Sequence, residues 1–165
     1  MKADSTTEKQ VLDTIESWLT AYGRRDVNQL VSLYLAEEDP AEAPTVTILG
    51  SEQNERFVGF HDVRERLMYD LRQFERASLG LRWSIVQVPT STRGSEQPPQ
   101  VAWVAAEVSG SMMIHGRTMP MAGRWTVVLE RRGEQWKISH SHFSFPTDHR
   151  DLAGHREASV RGRFV

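Results

Sequence analysis

The stretch GRWTVVLERRGEQWKISHSHFSFP, residues 123–146, decides the fold. It holds two runs rich in β-branched and aromatic residues, separated by Arg132-Gly133-Glu134-Gln135, and so reads as a β-hairpin turning at Gly133 and Glu134. That turn pairs Trp136 with Arg131, Ile138 with Leu129, His140 with Val127 and His142 with Trp125. A preceding turn at His115 and Gly116 pairs Ala106 with Trp125, Val104 with Val127 and Ala102 with Leu129. One face is then apolar apart from two histidines. On the other face Glu107 meets Arg124, Glu130 meets Lys137 and Ser141 meets Thr126, cross-strand pairs that support the register.

Upstream, the segments 101–112 and 81–88 read as two further strands, joined by a Ser/Pro/Gln-rich connection. Thr45 to Leu49 reads as a short strand, with a partner near 56–58. The first half of the chain is helical in pattern. Val11, Ile15, Trp18, Leu19 and Tyr22 form one stripe, with Ser5 or Thr6 as cap and Gly23 at the stop. Asp26 caps a second, shorter helix that ends before an acidic, Pro-containing loop at 37–44. After Phe60, the residues Val63, Leu67, Asp70 and Phe74 share a face, so an acid lies on a buried stripe and needs a partner. Three helices followed by consecutive strands predict an α+β fold, an antiparallel sheet with helices packed on its apolar face. Residues 1–146 are expected to form one domain, and 147–165, which lack periodicity, a tail that is loosely ordered or ordered by a partner.

Composition narrows the function. A chain of 165 residues suits one core. The 20 basic and 22 acidic residues give a net charge of −2, which offers no field for nucleic acid. With no cysteine there is no disulfide, thiolate nucleophile or thiolate-ligated zinc. The polar start carries no apolar span, so a cytoplasmic location without membrane contact is the expectation. No phosphate-binding glycine loop or nucleophile elbow is present.

The apolar face points at the helices, and the predicted pocket lies between them. It is lined by Trp18, Tyr22, Tyr69, Trp125 and Trp136 as ligand-binding residues, with His140, His142 and Asp70 as candidate acid/base residues. Imidazole titrates near neutrality and a buried carboxylate can orient it, so the three could transfer protons. The competing reading is that Asp70 hydrogen-bonds a core histidine and locks helix to sheet. Two histidines and a carboxylate also match a facial metal triad, but three chosen positions are not specific, and neither metal nor cofactor is expected.

Three stretches resemble the SnoaL-like branch of the nuclear transport factor 2-like superfamily: GRRDVNQL at 23–30, VAWV at 101–104 and, most specifically, residues 123–146. The resemblance spans about residues 8 to 146. It implies a cone, a strongly bent sheet wrapped around three helices with a cavity at the open end, and a homodimer formed through the outer face. Steroid isomerases, polyketide cyclases, dehydratases and the non-catalytic association domain of calcium/calmodulin-dependent kinase are similar. The implied function is binding of a small apolar or amphipathic molecule, with cofactor-independent isomerase, cyclase or dehydratase chemistry as its enzymatic form and a non-catalytic association domain as the alternative. The sheet carboxylates that an isomerase of this fold would use have no match, since Glu107 falls on the outer face.

Overall fold

The computed structural model describes residues 1–36, 45–89 and 98–146. The expected tail at 147–165 and the loop at 37–44 lie outside these residues, as does most of the 89–100 connection. The elements are α1 (Ser5–Arg24), α2 (Val27–Ser32), β1 (Thr47–Leu49), β2 (Arg56–Val58), α3 (Phe60–Asp70), β3 (Arg76–Gln87), β4 (Val101–Ile114), β5 (Arg117–Arg132) and β6 (Gln135–Ser144). The architecture is α+β, with a curved six-stranded sheet in the order β2-β1-β6-β5-β4-β3.

Local chemistry explains the helix ends. The Asp4 carboxylate, not Ser5 or Thr6, caps α1 by accepting from the Thr6 and Thr7 amides at 2.9 and 3.0 Å. A carboxylate at that position also meets the positive end of the helix dipole. The helix runs one residue past Gly23, and Arg25 takes the left-handed conformation at φ 59°. Its Nε donates to the Leu71 carbonyl at 2.8 Å, which ties the end of α1 to the end of α3. Asp26 caps α2 as expected, accepting from the Gln29 amide at 3.0 Å.

The long hairpins follow the sequence pattern for most of their length. His115 and Gly116 turn with φ of 49° and 71°, the paired positive values of a tight hairpin turn, and all three β4–β5 pairs inferred on the inner face are present. Val104, Val127, Leu129 and Ile138 are fully buried there against Val11, Ile15 and Leu19 of α1. Residues 1–3 lie antiparallel to the end of β3, with Ala3 N–H donating to the Val86 carbonyl at 3.1 Å.

Two expectations need correction. The sheet is mixed, because β1 runs parallel to β6, with Thr47, Ile48 and Leu49 opposite His140, Ser141 and His142. Between β1 and β6 the chain runs through β2, α3 and the strands β3 to β5, and only a long connection of this kind, not a tight turn, allows parallel pairing. The second correction is the β5–β6 register. Pairing is as inferred from Arg132–Gln135 to Leu129–Ile138, then shifts, so that Val128 faces His140, Val127 faces Ser141 and Thr126 faces His142. Ser139 is the extra residue of a β-bulge. One inserted residue exchanges the two faces for the rest of the strand.

Candidate functional site

The bulge decides what the cavity is made of. Past Ser139, the residues of β6 that turn inward are Ser141 and Phe143, and both line a cavity of about 160 Å3 between sheet and helices. Gly123 opposite them carries no side chain, and the Phe143 ring occupies the space that a Cβ would take. His140 and His142 turn outward, away from the cavity. His140 Nδ1 hydrogen-bonds the Thr47 hydroxyl at 2.6 Å, and its pKa is lowered by partial burial and then by neighbouring His142. His142 is exposed. The histidines and Asp70 are therefore not brought together, and among the described residues no group of three His, Asp or Glu side chains is placed to hold a metal.

The other expected residues divide. Trp18, Tyr22 and Trp125 form the aromatic wall: Trp18 stacks on Tyr22 at 4.8 Å and tilts against Trp125 at 4.7 Å between ring centroids. Their positions follow from the helical stripe of α1 and the inner register of β5. Trp136 is buried opposite Arg131 but is not on the cavity wall, and its indole N–H has no hydrogen-bond partner among the described residues. Tyr69 is 57% exposed and also stands off the wall, its ring 5.8 Å from the Arg66 guanidinium.

Asp70 does line the cavity, but its partner comes from its own helix. Arg66, one turn earlier on α3, donates from Nε to Asp70 Oδ2 at 2.9 Å, and Oδ1 lies 2.8 Å from the same nitrogen in an ion pair. Arg66 Nη2 pairs with Glu55, which arrives from the turn between β1 and β2, and the Phe57 ring lies 5.0 Å from the guanidinium. Burial pushes the Asp70 carboxyl above its ordinary range, Arg66 pulls it back, and Glu55 adds to the upward push. For Glu55 burial also pushes up, but the Glu52 amide and Arg66 outweigh it, so this carboxyl lies low. The two acids, held by one guanidinium, are thus driven apart in proton affinity.

Tyr34 supplies a second polar group. Its hydroxyl, fully enclosed, accepts from Trp18 Nε1 at 3.0 Å and hydrogen-bonds Ser141. Burial raises the phenol pKa, as it does for Tyr22, where the Asp70 charge adds to the effect. Arg66, Glu55, Tyr34 and Ser141 were not among the sequence candidates. The i, i+4 spacing of Arg66 and Asp70 was a readable signal. Nothing local marks Glu55, because its approach depends on how the β1–β2 turn folds over α3.

A family model described as the SnoaL-like domain matches residues 11–148. No curated protein matches the sequence. Solved structures share the fold. A nuclear transport factor 2-like superfamily protein from Salmonella enterica serovar Typhimurium is 17% identical with a TM-score of 0.71, covering 88% of this chain and 95% of its own. A proposed dehydratase of the same family from Streptomyces avermitilis is 19% identical with a TM-score of 0.70, covering 88% and 100%. A proposed calcium/calmodulin dependent protein kinase II association domain from Xanthomonas campestris is 17% identical with a TM-score of 0.67, covering 89% and 95%. At these identities the likeness is one of fold.

Proposed function

We propose, from the premise that this chain belongs to the SnoaL-like domain family, that it binds a small, largely apolar molecule in the cone cavity. The observation that carries this reading is an aromatic cavity of about 160 Å3 with a carboxyl group on its wall. That volume matches the roughly 150 Å3 of an apolar cavity that accepts benzene, so it suits a ligand body the size of one ring. Ser51 and Phe145, both exposed, stand at the rim and leave room for a substituent. Asp70 is the group that would move a proton if the bound molecule is converted, as in a cofactor-independent isomerase, cyclase or dehydratase. A carboxyl held above its ordinary range is the better base near neutrality.

The test is a titration with benzyl alcohol followed by tryptophan fluorescence, since Trp18 and Trp125 both border the cavity. Saturable quenching is expected in the parent protein. Val108→Phe, which fills the cavity from β4, should abolish it while the fold persists. Unchanged affinity in that variant would place the ligand elsewhere.

An association role has its own support on the outer face. Trp83 on the edge strand β3 is 53% exposed, and Val58 on the opposite edge strand β2 is 43% exposed. A homodimer through this face is expected to show in light scattering and to dissociate in Trp83→Glu. A parent protein that is monomeric at high concentration removes this reading.

A further inference from the structure

The charge on the cavity wall is unbalanced. Glu55, Asp70 and Arg66 are its charged side chains among the described residues, and both carboxylates are committed to the one guanidinium. Full ionisation leaves the site with an excess of one negative charge. An anionic ligand entering here would meet two carboxylates, and the guanidinium that might have received it is already engaged with both and flanked by Phe57.

A cation meets the opposite situation. Asp70 Oδ2 accepts from Arg66 Nε at 2.9 Å, with Oδ1 2.8 Å from the same nitrogen, and a carboxylate offers about four acceptor positions, so acceptor capacity remains. An ammonium brings three donors and needs no acceptor in return. Trp18 and Tyr22, stacked on each other with Phe74 against Tyr22, supply apolar wall in the same cavity as this carboxylate. A neutral donor such as a hydroxyl would gain the hydrogen bond but not the attraction between opposite charges.

The geometry points to a small organic amine as the ligand class of this cavity, its ammonium on Asp70 and its ring-sized apolar body against Trp18 and Trp125. This assignment rests on the reading of the cavity as a small-molecule site and narrows it. It also predicts a proton balance. Burial shifts Asp70 toward its neutral form in the empty site, whereas an ammonium at contact distance favours the ionised form, so binding releases protons wherever Asp70 is partly protonated beforehand.

Calorimetric titration of the full chain with benzylamine, benzyl alcohol and benzoate near neutral pH tests the assignment. Benzylamine is expected to bind about tenfold more tightly than benzyl alcohol, and benzoate more weakly than either. Asp70→Asn should erase the amine's advantage over the alcohol, and Asp70→Glu should keep it. Equal affinities for amine and alcohol, or tightest binding of benzoate, would overturn the amine assignment while leaving the site reading intact. Absence of binding by all of the probes would defeat the site reading, and this assignment with it.

Discussion

Trp125→Ala is expected to lower the unfolding free energy by about 3–5 kcal/mol, the range for deleting a buried aromatic side chain. Trp125 is 3% exposed and packs on Trp18 while forming one wall of the cavity. Truncation removes its transfer free energy and merges the space it leaves with a cavity that already exists. The neighbours cannot collapse into that space, because Trp18 is held by its hydrogen bond to Tyr34 at 3.0 Å. The informative control is His142→Ala, one residue type that the sequence pattern placed beside Trp125. Its side chain is exposed on the opposite face, and the change should stay within about 0.5 kcal/mol. Urea denaturation of the two variants, with slopes compared to the parent, reads both effects. Similar losses in the two would mean that the His142 side chain is packed in the core.

Arg66→Ala should cost about 2–3 kcal/mol near neutral pH, less than the full penalty for breaking a buried ion pair because the group is partly hydrated. The side chains of Arg66, Glu55 and Asp70 are 21%, 15% and 23% exposed. Removing the guanidinium leaves two carboxylates facing each other over an apolar cavity. The pH dependence follows from the directions of their shifts. The folded-state pKa of Asp70 already lies above its unfolded value, and losing Arg66 raises it further. Its contribution to stability is therefore fully present below the unfolded pKa and lost as pH rises through the folded one. Glu55 has the reverse sign: its folded pKa is depressed, so its stabilisation holds above the unfolded pKa and fades as pH falls through the folded value. In the variant the Arg66 part of that stabilisation is gone. Both effects make the deficit largest near neutrality and smaller on acidification. Denaturation midpoints of variant and parent between about pH 7 and about pH 4 should converge. A gap that stays constant or widens in acid would show that the cluster is not electrostatically coupled in this way.

Much of the scaffold was legible from residues alone. The stripe of Val11, Ile15 and Leu19 announced α1 and its buried face, and Asp26 announced the start of α2. Glu107 opposite Arg124 and Glu130 opposite Lys137 fixed the hairpin registers where the structure has them. These features rest on interactions between chain neighbours or across a tight turn, where spacing determines contact. The inward direction of Asp70 on α3 belongs to the same class.

The candidate site was legible only up to Ile138. Beyond it the segment SHSHFS alternates with period two whichever face is buried, so serine or histidine could equally have faced the helices. The choice was made by a bulge at Ser139, and a bulge has no periodic signature because it is a single residue out of step. Parallel pairing with β1 lies along the bulged stretch, and Thr47 there receives His140 on the outer face. Glu55 reaches Arg66 in the same way, through a long-range approach that no local spacing encodes. Sequence thus determined the α+β scaffold and the helix that carries Asp70, because those depend on local periodicity. Tertiary structure decided that Ser141 and Phe143, not His140 and His142, face the cavity, because one inserted residue reverses every side chain after it.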